Sequence, residues 1–376
     1  MGGTSLGFKN SQTINYANPA SYISLDTLSF LFEGALLSTF TTQTSLSTSQ
    51  SGNNSTLSYL LFGFPISKWW KTTVGLLPYS NVGYKITDTQ HQDSLGTVNY
   101  IYEGQGGLNE VFIGNAFKIT KGLSIGLNLG YLFGSIDKTR TVLFPDMVTA
   151  YNSRLKSSTE MSGFLMSFGT QYFKKLSEKY TLGIGITYSN AALINTRENY
   201  FVTSFTRSTS GYEYLKDTLE NISGQKSSIT IPASLGVGFS LKVGDKYEFG
   251  SDFKWQNWGK YTVNSSIDTL QNSWQLSAGC QILPSVSASN YFSKVFYRFG
   301  ARYGKTYLNL KNQQLDEWAI SAGLSLPFKK SKSTINFGIE YGQRGTTSDN
   351  LIRESFTRIT LGVSINERWF VRRKFF

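Results

Sequence analysis

Leu123-Ser124-Ile125-Gly126-Leu127-Asn128-Leu129-Gly130-Tyr131-Leu132-Phe133-Gly134 repeats with a period of two. Leu123, Ile125, Leu127, Leu129, Tyr131 and Phe133 share one face, and Ser124, Gly126, Asn128, Gly130 and Gly134 share the other. Only a strand places residues i and i+2 on the same face. The second face is small and polar, where a soluble sandwich would carry charged, solvated side chains. Lipid on one side and a crowded interior on the other account for that difference. The pattern recurs with Leu182, Ile184, Ile186 and Tyr188 against Gly183, Gly185, Thr187 and Ser189. It recurs again with Ile335, Phe337, Ile339 and Tyr341 against Asn336, Gly338, Glu340 and Gly342.

Composition agrees. The chain has 376 residues, of which 22 are Tyr, 27 Phe and 36 Gly, while only 16% are charged. Mean hydropathy is −0.21, too polar for a helical membrane protein, and the charge content is too low for a typical soluble one. No run approaches the roughly 20 consecutive apolar residues of a membrane helix. A bilayer would therefore be crossed by strands, and strands cross only as a closed barrel, because an open edge leaves backbone polar groups unpaired in hydrocarbon. The expected fold class is an all-β, transmembrane antiparallel β-barrel of about fourteen strands. Met1-Gly2-Gly3 has neither a basic n-region nor an apolar h-region, so a secretory leader is expected to have been cut away or left out.

The formal charge of +12 raises the question of nucleic acid. Lys and Arg are scattered through turns and loops, so lipid headgroups are the simpler partner. A single cysteine, Cys280, and a single histidine, His91, leave no multi-cysteine or His-based metal site, and no cofactor is implied. Gly3-Thr4-Ser5-Leu6-Gly7 matches the hydrolase pattern G-x-S-x-G, but it lacks the preceding strand and following helix that the motif needs. His91 with Asp93 and Ser94 reads as a loop cluster, not as a lipase site on the barrel wall. No enzymatic activity is expected.

Along the chain, residues 1–27 lack sustained alternation and are rich in Gly and Asn, which suits an irregular segment filling a lumen; residues 28–376 form the barrel. Short connections such as Ser67-Lys68, Lys121-Gly122 and Gly244-Asp245 read as periplasmic turns. Longer ones, at about 89–107, 141–158 and 197–226, read as extracellular loops. Pro78 and Pro232 fall in strand patterns where proline cannot donate to the ladder, marking kinks, bulges or an opened seam.

The sequence resembles the FadL/TodX (OMPP1) family of outer-membrane barrels, as a divergent branch. The residues that carry the resemblance are Met1-Gly2-Gly3-Thr4 with Asn18-Pro19-Ala20, Phe64-Pro65-Ile66-Ser67-Lys68-Trp69, Pro78-Tyr79-Ser80, Ile231-Pro232-Ala233 with Gly236, and Lys254-Trp255-Gln256-Asn257-Trp258. The resemblance implies a short hatch plugging the lumen with Asn18, Pro19 and Ala20 in it, and a lateral opening at a third-strand kink formed by Pro78, Tyr79 and Ser80. It implies passive passage of a hydrophobic, fatty-acid-like small molecule across the outer membrane. An alternative stands beside this leading reading, since some such barrels are structural or adaptor subunits of protein-secretion or barrel-assembly complexes.

Two further segments stand out. The loop bearing Phe144, Met147, Val148 and Tyr151 is apolar for an extracellular position and is a candidate ligand or partner surface, or a cap on the barrel mouth. The basic, aromatic tail bearing Trp369, Arg372 and Arg373 is a candidate for docking on the periplasmic side. Expected partners are outer-membrane lipid, a hydrophobic small molecule and other outer-membrane proteins or lipoproteins, with no nucleic acid.

Overall fold

The computed structural model describes residues 1–208, 210–263, 266–267, 270–285, 290–329 and 331–368. Eighteen strand segments follow an N-terminal stretch that contains a single 3-10 turn, Pro19–Ser24. They are β1 (Ser29–Thr44), β2 (Ser49–Pro65), β3 (Trp70–Gln92), β4 (Gly96–Lys118), β5 (Leu123–Leu143) and β6 (Asn152–Lys175). Next come β7 (Tyr180–Ser189), β8 (Ala192–Arg207), β9 (Glu213–Ile231), β10 (Ser234–Val243) and β11 (Tyr247–Gln256). The last are β12 (Thr262–Val263), β13 (Ser266–Ile267), β14 (Ser273–Ile282), β15 (Phe296–Leu310), β16 (Gln313–Pro327), β17 (Thr334–Arg344) and β18 (Arg353–Arg368). β7 with β8, and β9 with β10, are halves of interrupted strands, and β12 and β13 form a two-residue ladder, so the wall has 14 strands.

Every pairing is antiparallel, and β1 closes the wall on β18 from Ser29↔Arg368 to Thr44↔Arg353. Closure removes the edge that lipid cannot solvate. The alternation of residues 123–134 is realised in β5: Ile125, Leu127, Leu129, Tyr131 and Phe133 are exposed outward, while Ser124, Asn128 and Leu132 are buried inward. Aromatic girdles bound this apolar belt. At the short-turn end, Trp69 and Trp70 stack on Phe117 with centroids 6.1 and 6.0 Å apart. At the other end, Trp274 meets Tyr303 at 5.8 Å and Trp318 meets Tyr341 at 5.9 Å.

Most of the residues expected as long extracellular loops are strand. β3 and β4 are joined by a tight turn at 93–95, His91 pairs with Thr97, and β8 and β9 form a long hairpin across most of 197–226. These extensions are solvated on both faces, as in β9, where every residue from 213 to 223 is exposed. Met by water on both faces, they carry no sustained alternation to read. Pro232 separates β9 from β10, where its missing N–H ends one ladder and allows β8 and β7 to pair with different halves of the strand.

Residues 1–28 run inside the barrel against its small inward face. A Cβ on Gly126 would collide with the Pro19 backbone, one on Gly185 with the Leu6 carbonyl, and one on Gly300 with the backbone of Met1 and Gly2. Ile14, Tyr22 and Leu25 complete a buried cluster with Leu31, Leu61, Phe112 and Ala116 of the wall.

Candidate functional site: an inner vestibule and an opened seam

Asn18 is fully buried and starts the 3-10 turn, its Oδ1 accepting from the Ala20 N–H at 3.1 Å. Its Nδ2 donates to the Leu6 carbonyl at 3.0 Å and the Thr170 carbonyl at 3.3 Å, so one side chain ties two parts of the inner segment to β6. Gln171 adds donors to the Leu6 and Phe8 carbonyls at 2.8 and 3.0 Å. From β11, three strands further round the wall, the Asp252 carboxylate accepts the Ser5 and Leu6 N–H groups at 2.6 and 2.9 Å. The Tyr22 hydroxyl donates to Asn128 Oδ1 at 2.9 Å, and burial pushes that phenol above its ordinary range, so it remains a protonated donor. Asn18→Ala should strand buried carbonyls and cost about 1–3 kcal/mol. The effect would be measured as faster proteolysis of residues 1–25 in the folded barrel; unchanged cleavage would show that Asn18 does not hold the segment.

The wall opens between β2 and β3. Their ladder runs from Pro65↔Lys71 to Leu60↔Leu76 and ends there, although β2 continues back to Ser49 and β3 on to Gln92. Two bulges flank the break. Tyr79 is skipped in the β3–β4 register between Pro78 and Ser80, and Ser58 is skipped in the β1–β2 register beside Ala35/Leu36. Pro78 lacks the N–H that a continued ladder would need. The break starts inside the apolar belt, since Leu60 pairs with Gly34, which in turn pairs with Val363 on the lipid-facing side of β18.

Behind the seam lies a cavity of about 930 Å³, lined by Thr39, Gln50, Asn53, Pro78, Ser80 and Asn81 among others. A side chain at Gly52 or Gly83, one on each separated strand, would meet nothing within 4 Å. A second cavity of about 610 Å³, the vestibule, is walled by Tyr16, Trp258, Tyr307, Lys254, Arg302 and Arg344 among others. Tyr16 lines both cavities and leans on Tyr59 with ring centroids 5.9 Å apart.

Beside these spaces runs a charged ladder contributed by four strands. Arg302 donates to Glu340 at 2.6 and 3.0 Å and to Glu317 at 3.0 Å; Arg344 holds Glu317 at 2.6 Å and Arg358 holds Glu340 at 2.9 Å. Arg358 also lies over the Phe356 ring at 4.2 Å. Glu317 pairs with Arg344 and Glu340 with Arg358 across adjacent strands, and Arg302 reaches past β16 to Glu340, so the sequence separation hides the group from a linear reading.

The structure brings Asn18, Pro19 and Ala20 together in the buried inner segment, and Pro78, Tyr79 and Ser80 at the seam. Phe144, Met147, Val148 and Tyr151 lie elsewhere. Their turn is tied sideways by Asp146, which accepts the Thr97 N–H at 2.7 Å, and none of the four lines the vestibule or the seam cavity. Trp369, Arg372 and Arg373 fall outside the described residues. Tyr16, Ser58 and the arginine–glutamate ladder were not singled out from sequence. For Ser58, the adjacent Leu60-Leu61 pair, which interrupts strict alternation, was the available signal.

A family model, BamG, matches the whole chain, residues 1–376. The chain belongs to the BamG family. Among solved structures, the Pseudomonas putida toluene transporter TodX superposes with a TM-score of 0.63 at 16% identity, over 98% of this chain and 96% of that one. A Pseudomonas aeruginosa FadL homologue gives 0.62 at 12% identity, over 98% and 96%. The CymD monoaromatic hydrocarbon channel gives 0.59 at 14%, over 93% and 91%. No curated protein matches the sequence. The fold of this BamG-family chain is thus the FadL/TodX type of outer-membrane barrel, as the sequence resemblance implied.

Proposed function

We propose that this chain is a passive outer-membrane port for amphipathic small molecules, with lateral exit between β2 and β3 toward the outer leaflet. The observation that carries this reading is the end of the β2–β3 ladder at Leu60↔Leu76, over a cavity of about 930 Å³. Unpaired backbone is tolerated at membrane depth only where it lines such a space. The vestibule sets aromatic rings beside Lys254, Arg302 and Arg344, which suits an apolar body with an anionic head. The hydroxyls and amides of the seam cavity favour an amphipath over a bare hydrocarbon. Tyr16 stands between the two spaces, and the inner segment is the hatch whose local shift would join them.

The test is transfer of a fluorescent long-chain carboxylate across liposomes carrying the purified barrel. Pro78→Val combined with deletion of Tyr79, which removes the bulge and lets the ladder continue, should slow transfer by at least about tenfold, equivalent to 1.4 kcal/mol. Transfer at the original rate would sink the lateral route; no transfer by the original barrel would sink the port itself.

A second reading, a structural or adaptor subunit of an outer-membrane protein complex, is favoured by one observation. The β8–β9 hairpin presents Tyr212, Tyr214, Leu215 and Leu219, each more than half exposed, on its solvated extension. Exposed apolar clusters of this kind mark partner surfaces. Stoichiometric outer-membrane partners co-purified in mild detergent, and lost on Leu215→Ser with Leu219→Ser, would support it; a barrel that purifies alone would count against it.

A further inference from the structure

The periplasmic mouth holds a concave site apart from the vestibule and the seam. A cavity of about 430 Å³ receives Lys9 from the inner segment, Lys121 from the β4–β5 turn, Lys175 from the end of β6 and Lys242 from β10. Four cations from four separate parts of the chain thus face one space. Among the described residues lining it, Glu248 supplies the only carboxylate. Lys242 also reaches Asp245 at 3.1 Å, an exposed pair of small worth. Lys9 lies over the Phe173 ring at 5.3 Å. Desolvation, followed by the charge of nearby Lys118, holds the Lys9 ammonium below its ordinary range.

The remaining lining is suited to an oxyanion. Ser11, Ser24 and Thr181 also line the cavity; the Ser24 hydroxyl is buried without a hydrogen-bond partner, while that of Ser240 is committed to the Gly7 carbonyl at 2.6 Å. Clustered ammonium groups with adjacent hydroxyls are the elements of a phosphate site. We propose that this basin binds a phosphate group, either of a phospholipid headgroup in the inner leaflet or of a free phosphate species. Lys9 rides on the inner segment and the other three lysines on the wall, so the bound anion would clasp the one to the other. The proposal does not rest on the port reading, since no residue of this basin lines the vestibule or the seam cavity.

The experiment titrates the purified barrel, in a zwitterionic detergent without phosphate groups, with inorganic pyrophosphate and separately with a short-chain phosphatidylglycerol below its micelle concentration. Calorimetry reads affinity, and protease protection of residues 1–25 reads the clasp. Saturable binding that weakens with salt is expected. It should weaken by about tenfold or more in Lys9→Gln with Lys175→Gln, while Lys85→Gln, at an exposed extracellular position paired with Glu103, leaves it unchanged. Binding of pyrophosphate alone identifies a free phosphate species, and binding of the lipid alone or of both identifies a headgroup site. The proposal is overturned if neither ligand binds, or if binding is indifferent to the two lysine substitutions in a barrel that still folds by heat-modifiable gel mobility.

Discussion

Deletion of residues 2–24 is expected to turn the barrel into an ion-conducting pore. Those residues pack directly on glycines of the wall's inner face, where a Cβ at Gly126, Gly185 or Gly300 would collide with their backbone. No wall side chain stands at these positions to refill the space. The deletion also strips Ile14 and Tyr22 from the buried cluster around Leu61 and Phe112. Losing two such side chains forfeits roughly 3–6 kcal/mol of apolar burial. Single-channel recording in planar bilayers should show large, steady conductance where the intact chain shows little. Equal conductance of the two forms would mean that the segment does not occlude the lumen.

Arg302→Met should be the most damaging single substitution in the charged ladder. Arg302 alone bridges Glu317 and Glu340, at 11% side-chain exposure against 16% for each partner. Methionine fills a similar volume, but leaves two carboxylates facing each other with only Arg344 and Arg358 to offset them. Breaking a buried ion pair from one side typically costs about 3–5 kcal/mol, and the partial exposure here places the effect at the lower end. Thermal unfolding in detergent should shift downward, and replacing Glu317 and Glu340 by Gln in the same chain should recover much of the loss. A single variant that melts with the original barrel would show that the ladder is solvated enough to be dispensable.

The barrel was legible wherever one strand face meets lipid. Residues 123–134 announce their face because Leu, Ile, Tyr and Phe pay no penalty in hydrocarbon, while the opposite positions must be small beside the inner segment. The extensions beyond the bilayer were not legible. Residues 213–223 meet water on both sides, so hydropathy carries no period there, and the paired backbone alone makes them strand. The seam was half legible. Pro78 declares a missing donor in the sequence itself, whereas the bulge at Ser58 leaves only the indirect mark of the Leu60-Leu61 pair and is set by how β1 and β2 register. The charged ladder was the least legible part, because Arg302, Glu317, Glu340, Arg344 and Arg358 become neighbours only through cross-strand pairing.

The ladder between β1 and β18 has a kinetic consequence. It joins residues more than 300 positions apart in sequence, from Ser29↔Arg368 to Thr44↔Arg353, so the chain must be almost fully laid out before this seam can zip. Contacts of such long range carry the greatest loop-closure cost and form late. β1 begins directly after the inner segment, and zipping it therefore fixes the orientation of the N-terminus at the same moment that it completes the wall. Closure of the wall and placement of the inner segment become a single event, and a chain stalled before closure would expose both a free strand edge and an unhoused inner segment.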